Sequence, residues 1–252
     1  MPTALALSNE RQVGIGSLFP GTVRRVSAGA DIYAQGDYVA DVFLLRTGWA
    51  FLYQVTADGR RQILHFALPG EILNYNPGLR HPAIEGAQAI TAGAISSLSR
   101  HALDQILERS PIAARQVADS AELRRMLVFE HLTNLGRRCA RERLANILLE
   151  LFCRVRGRLP SVPEDRAPLP LTQSILADAV GLTPIHVNRT LRRLRQERIV
   201  CILPGVVRVL NPAKLVELAG LTNEVPRVLT TMSRPLQVAA SSVVSLWEAA
   251  SA

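Results

Sequence analysis

LTQSILADAVGLTPIHVNRTLRRLRQ, Leu171 to Gln196, holds two short runs of helical period with a glycine between them. Thr172 is placed to cap a helix through Gln173, Ile175, Leu176 and Ala179, and Gly181 supplies the positive φ that a tight turn requires. Thr183 then caps a second helix with Pro184 at its first position. In that helix Ile185, Leu191 and Leu194 are expected to face inward, with His186, Asn188, Arg189, Arg192 and Arg193 spread over the other faces. Two capped helices around a glycine turn, the second rich in Arg, Asn and His, suit a helix-turn-helix whose second helix enters the major groove. Arg donates bidentately to guanine O6 and N7, Asn pairs with adenine, and capped helix N-termini hold phosphates. The alternative is an ordinary surface helix with solvated arginines.

The charge distribution argues against that alternative. The formal charge of +8 is uneven along the 252 residues: residues 1–136 hold twelve Arg and twelve acids, whereas residues 137–200 hold thirteen Arg and six acids. An excess gathered in the segment that contains the two helices points to a polyanionic partner. The chain is long enough for one or two domains with a real core. Its N-terminus has no basic, apolar leader pattern, and no apolar run approaches a membrane span, so a reduced cytoplasmic location without a membrane partner is the simplest expectation.

Outward from the two helices, IVCILPGVVRVLN reads as two short strands around Pro204-Gly205, and NPAKLVELAG as a closing helix. On the other side LPSVPEDRAPLP, with prolines at 160, 163, 168 and 170, reads as a stiff connection. RRCARERLANILLELFCRVRG is a helix with Leu144, Ile147, Leu148, Leu151 and Phe152 facing a core and Gly157 at its end. Before it, Ser110-Pro111 starts a helix of about 38 Å, with Gly136 as the expected hinge. Its apolar positions form no clean heptad. From Pro20 to Leu103 the period falls to two: VFLL, WAFLYQV and QILHFAL are strand-like, and Asp58-Gly59 marks a hairpin, as in a small antiparallel barrel or jelly roll. The tail from Leu221 stays open between a further helix over 236–249 and an unstructured segment.

This order resembles the cyclic-AMP receptor and Fnr (Crp/Fnr) family of bacterial transcription regulators, with LTQSILADAVGLTPIHVNRTLRRLRQERIV the strongest match and the likeness covering roughly residues 18 to 220. The resemblance implies an α+β chain. Residues 1–109 would form a cyclic-nucleotide-binding-like β jelly roll, 110–136 a long dimerisation helix and 137–220 a winged helix-turn-helix, with 221–252 a tail of unknown role. It further implies a homodimer on near-palindromic double-stranded DNA, with RNA polymerase a further candidate partner. Arg189 falls where the family places an Arg on guanine, and Gln173, Thr183 and His186 fall on phosphate-contacting positions; Asn188, Arg192 and Arg193 complete the candidate DNA-binding set. The cyclic-AMP receptor's Arg-Glu pair is replaced by Pro184 and Ile185, so its target sequence cannot be carried over.

At the sensor end Gly70-Glu71 matches the opening of the family's cyclic-nucleotide cassette, where the Glu takes the ribose. The Arg and hydroxyl residue expected to hold the phosphate are replaced by Ala83 and Ile84, and a buried phosphate without a cation is costly. Gly70, Glu71 and Arg80 are therefore the candidate effector residues, and the expected input is one other than cyclic AMP. No cofactor is expected: Cys139, Cys153 and Cys201 are too few and scattered for a cluster, and the five His form no close ligand pair. Cys139, between Arg138 and Arg141, is a candidate redox thiol, since nearby positive charge favours the reactive thiolate. The reading is a sequence-specific DNA-binding regulator. Its alternatives are an effector-independent regulator of the same fold and a regulatory protein-interaction subunit. No nucleophile-base motif, carboxylate pair or phosphate loop suggests an enzyme.

Overall fold

The computed structural model describes residues 16, 19, 23–75 and 82–220. Arg80 and the tail beyond Gly220 lie outside them. Eight strands come first: β1 (Val23–Val26), β2 (Asp31–Tyr33), β3 (Asp41–Thr47), β4 (Ala50–Val55), β5 (Arg61–Ala67), β6 (Ile72–Leu73), β7 (Gly86–Ala89) and β8 (Gly93–Ser99). They form two antiparallel four-stranded sheets, ordered β1-β8-β3-β6 and β2-β7-β4-β5. Phe43, Leu45, Leu52, Leu73 and Ile95 fill the space between them. The Asp58-Gly59 turn joins β4 to β5 as its sequence requires, with Thr56 N–H donating to Arg60 O at 2.9 Å and Gly59 at φ 82°.

Helix α1 (Arg100–Arg109) leads into α2 (Pro111–Arg137), the long helix, where Ser110 Oγ accepts from Ala113 N–H and Pro111 stands in the first turn. The expected hinge at Gly136 is corrected: Gly136 is helical, and the chain breaks at Arg138 and Cys139, which adopt extended backbone before α3 (Ala140–Arg156). Gly157 ends α3 in the left-handed region, at φ 65°.

The proline-rich connection also departs from its reading. It contains β9 (Asp165–Pro168), which pairs with β11 (Val206–Val209), itself paired to β10 (Val200–Leu203), so the wing has three strands. Pro168 is tolerated because it ends an edge strand. The module is completed by α4 (Gln173–Val180), α5 (Pro184–Gln196) and α6 (Pro212–Ala219).

Strand β4 is buried on both faces. Ala50 and Leu52 point into the barrel, while Trp49, Phe51 and Tyr53 join Ile63 and Phe66 in a second core with α3, α4, α5 and the wing. Arg61 ties this surface to α4 through Asp178 at 2.8 Å, and its guanidinium lies 4.8 Å from the centre of the Phe51 ring. The barrel and the helical module therefore share one apolar interior. Phe66→Ala should lower stability by about 3 to 5 kcal/mol. In urea unfolding followed by Trp fluorescence and far-ultraviolet dichroism, both signals should shift together; a helical transition left in place would show that the two parts unfold separately.

Candidate functional site

The two helices of the opening motif are fixed from both ends. Thr172 Oγ1 accepts from Ile175 N–H and Thr183 Oγ1 from His186 N–H, both at 3.2 Å, while Gly181 makes the turn at φ 64°. Leu176, Ala177 and Val180 of α4 pack with Val187 and Leu194 of α5 in the shared core. Thr190 is buried and satisfies its hydroxyl on His186 O at 2.8 Å.

The candidate DNA-contacting residues gather along the outer side of this pair. Gln173, Thr183, Arg189, Arg192 and Arg193 are exposed, and His186 and Asn188 half-buried. Asn188 Nδ2 donates to Gln173 Oε1 at 3.1 Å, which joins the start of α4 to the middle of α5. Arg193 is turned aside: Glu197 takes it at 2.9 Å and also pairs with Arg141. Among the described residues, Arg189 and Arg192 carry no hydrogen bond or ion pair, so both present open donors. Ile185 is corrected: it stands 83 % exposed, and the inward face belongs to Val187, Thr190 and Leu194. Arg166, exposed on β9, was missed because its segment read as a connection.

Both carboxylate oxygens of Glu71 are engaged within the protein. Its Oε1 receives Arg154 Nη2 at 2.6 Å and Leu68 N–H at 3.1 Å, and its Oε2 receives His65 Nε2 at 2.7 Å. Arg154, on α3 of the helical module, also donates to Phe66 O at 2.5 Å and to Glu150 Oε1 at 3.0 Å. Glu150 Oε2 meets His131 Nε2 at 2.5 Å, while His131 Nδ1 faces the carbonyl of Leu64 at 3.1 Å. The β4–β5 register slips at Leu64, leaving it without a cross-strand partner. The buried chain thus runs from barrel to α3 to α2.

Charge follows from this geometry. Both nitrogens of His131 face acceptors, an arrangement that favours the doubly protonated, cationic ring. Burial opposes that charge, but Glu150 outweighs it and raises the His131 pKa above its ordinary value. Burial alone would raise the Glu150 pKa, yet His131 and Arg154 hold it down to about 2. Glu71 is likewise held far below the carboxylate range, burial being outweighed chiefly by Arg154. His65 is pushed down to about 4 by burial and stays neutral at pH 7. With His131 protonated, two carboxylates face one guanidinium and one imidazolium.

Beside this chain a cavity of about 350 Å³ opens between barrel and α2, lined among others by His65, Tyr75, Glu85, Ser120 and Arg124. Arg124 donates to Ile72 O, and its buried Nε has no partner among the described residues. Ala83, buried, and Ile84, exposed, are both aliphatic, so neither supplies charge. Gly70, at φ 95°, donates its N–H to Leu45 O at 2.7 Å and closes the turn before Glu71. Cys139 is exposed ahead of α3, its N–H on Glu142 at 2.7 Å. The neighbouring guanidinium of Arg138 is held by Glu130 at 2.7 Å.

Comparison with known proteins agrees with this geometry. Residues 23–110 match the family described as cyclic nucleotide-binding domain, and residues 142–218 the Crp-like helix-turn-helix domain. The nitrogen fixation regulation protein FixK of Bradyrhizobium diazoefficiens is 32% identical over 202 residues, covering 78% of this chain and 82% of its own. The chain belongs to the Crp/Fnr family. The transcriptional activatory protein AadR of Rhodopseudomonas palustris is 36% identical over 185 residues, 73% of this chain and 76% of its own. The solved structure of FixK2 from Bradyrhizobium japonicum superposes with a TM-score of 0.70 at 26% identity, covering 80% of this chain and 98% of that one. This Crp/Fnr protein is a transcription regulator with a helix-turn-helix DNA-binding domain, and family members are regulators rather than enzymes. Among its described residues no helix is long and apolar enough to cross a membrane.

The buried chain predicts a pH response. A raised His131 pKa means that its contribution is fully present below its unfolded value of about 6.5 and is lost as pH rises through the folded value. The His131 ring signals in a nuclear magnetic resonance titration should therefore turn over above about 6.5. In Glu150→Gln the midpoint should fall; an unchanged midpoint would show that Glu150 does not hold the proton.

Proposed function

We propose that the protein works in the cytoplasm as a homodimer, reading a near-palindromic operator with two copies of α5 and responding to an input other than cyclic AMP. The observation that carries the DNA reading is the pair of open guanidiniums, Arg189 and Arg192, on the exposed side of a helix locked into place by its cap and its buried face. Arg166 on the wing and the N-terminus of α4 add cationic and donor groups suited to phosphate.

The dimer reading is supported by α2. Val128, Phe129 and Leu132 are 41, 54 and 67 % exposed, an apolar row that a second copy of the helix would cover. Pairing there would set two copies of α5 to meet successive major grooves, about 34 Å apart. Contact with RNA polymerase belongs to the same reading, supported by the activator role in the name of AadR.

The input reading rests on the cavity. A cyclic phosphate needs a cationic seat, yet Ala83 and Ile84 offer none and Glu71 is already engaged. The guanidiniums that line the space, Arg124 and Arg125, both come from α2. Any ligand they hold would touch the long helix directly.

Selection of bound fragments from randomised duplex DNA, with and without cyclic AMP, should enrich the same near-palindrome in both arms. Enrichment only with the nucleotide would overturn the input reading, and enrichment in neither would overturn operator binding. On the selected site Arg189→Ala should cost about 1 to 3 kcal/mol and relax one base pair per half-site. A uniform loss on every sequence would make Arg189 a phosphate contact.

A further inference from the structure

Ile185 occupies a position that core packing does not explain. It lies in the first turn of α5, 83 % exposed, whereas Val187 and Leu194 of the same helix are wholly buried. At 100° per residue, Ile185, Asn188, Arg189 and Arg192 fall within an arc of about 100°, opposite Val187 and Leu194. The exposed isoleucine is thus a member of the outward row that carries the open guanidiniums. A single exposed aliphatic side chain is unremarkable elsewhere on a surface. Here it stands where residues of a recognition helix reach base edges, since the N-terminal turn goes deepest into the groove.

We propose that Ile185 reads a thymine, its side chain lying against the 5-methyl group at a base pair next to the one addressed by Arg189. The inference rests on the DNA reading above and adds a specificity-determining residue to it. The methyl of thymine is the apolar feature among the groups that bases present in the major groove. Isoleucine neither donates nor accepts a hydrogen bond. Against guanine O6 and N7, adenine N6 and N7 or cytosine N4, it would strip water from a polar edge and return nothing. Against thymine it buries a methyl group. Selectivity then comes from both the gain at thymine and the loss at the other bases. The surrounding positive charge favours duplex DNA over an apolar protein surface as the occupant of this face.

The test replaces thymine by deoxyuridine, which lacks only the methyl group, at each thymine of the selected operator in turn. Wild-type protein should lose about fourfold in affinity per methyl at one position in each half-site, about fifteenfold when both are replaced. Ile185→Ser should bind thymine and uracil operators equally and remain folded by circular dichroism, because the side chain is exposed. Equal binding of both operators by the wild type would overturn the proposal while leaving the operator, and so the DNA reading, intact. Uracil sensitivity that persists in Ile185→Ser would overturn it by assigning the methyl to another residue. Failure to select any operator would remove the DNA reading and this proposal together. If Ile185→Ser instead lowers self-association in sedimentation without DNA, the side chain packs on a second copy, and the proposal falls.

Discussion

A guanidinium in an apolar interior must have all its partners in place, and Arg154 is such a group, 4 % exposed at the junction of three elements. Glu71 and the Phe66 carbonyl come from the barrel, Glu150 from its own helix, and His131 from α2 by way of Glu150. Removing these charges from water costs several kcal/mol each, and the attraction between them returns that only in good geometry. A displaced barrel or a rotated α2 would leave a buried charge unmatched. The network therefore selects one arrangement of barrel and helical module more than it adds stability. The apolar contacts around it, from Trp49 and Phe51 through Leu148 to Leu194, supply the main favourable term.

This constraint has a direct consequence for DNA recognition. The helix that carries Arg154 also packs against α4 and α5, so the direction in which Arg189, Arg192 and Ile185 project is tied to the barrel. His65 belongs to both sides of the arrangement: its Nε2 holds Glu71, and its ring lines the cavity that Arg124 enters. A change in that space is one side chain away from the ionic chain and two from the helical module. The physical distance from cavity to helical module is short because the barrel and that module share a core.

The parts of the structure governed by local chemistry were legible in the chain. Ser110, Thr172 and Thr183 cap the helices that follow them, and Gly157 and Gly181 take the left-handed conformations that end α3 and α4. Alternation in WAFLYQV marked β4, although only the fold showed that both of its faces are covered. The misread places are those where distant neighbours decide. Gly136 stays helical within α2, which runs on to Arg137, and the residue after it, Arg138, is anchored back on the helix by Glu130. The prolines of 160–170 do not prevent β9, because an edge strand needs donors on one side only. Ile185 faces outward because Val187, Thr190 and Leu194 already define the buried side of α5.

Sequence by itself determined the order of elements, the capped helix-turn-helix, the basic excess around it and the aliphatic pair Ala83-Ile84 where the resemblance leads one to expect a phosphate-holding Arg and hydroxyl, since each depends on residues close together in the chain. Only the tertiary structure decided that Glu71 is bound to Arg154, 83 residues away, that Arg193 is held by Glu197 while Arg189 and Arg192 remain open, and that an isoleucine stands among them. Local propensity acts through the backbone of neighbouring residues, whereas the state of a charge or an exposed side chain depends on what the folded chain brings beside it.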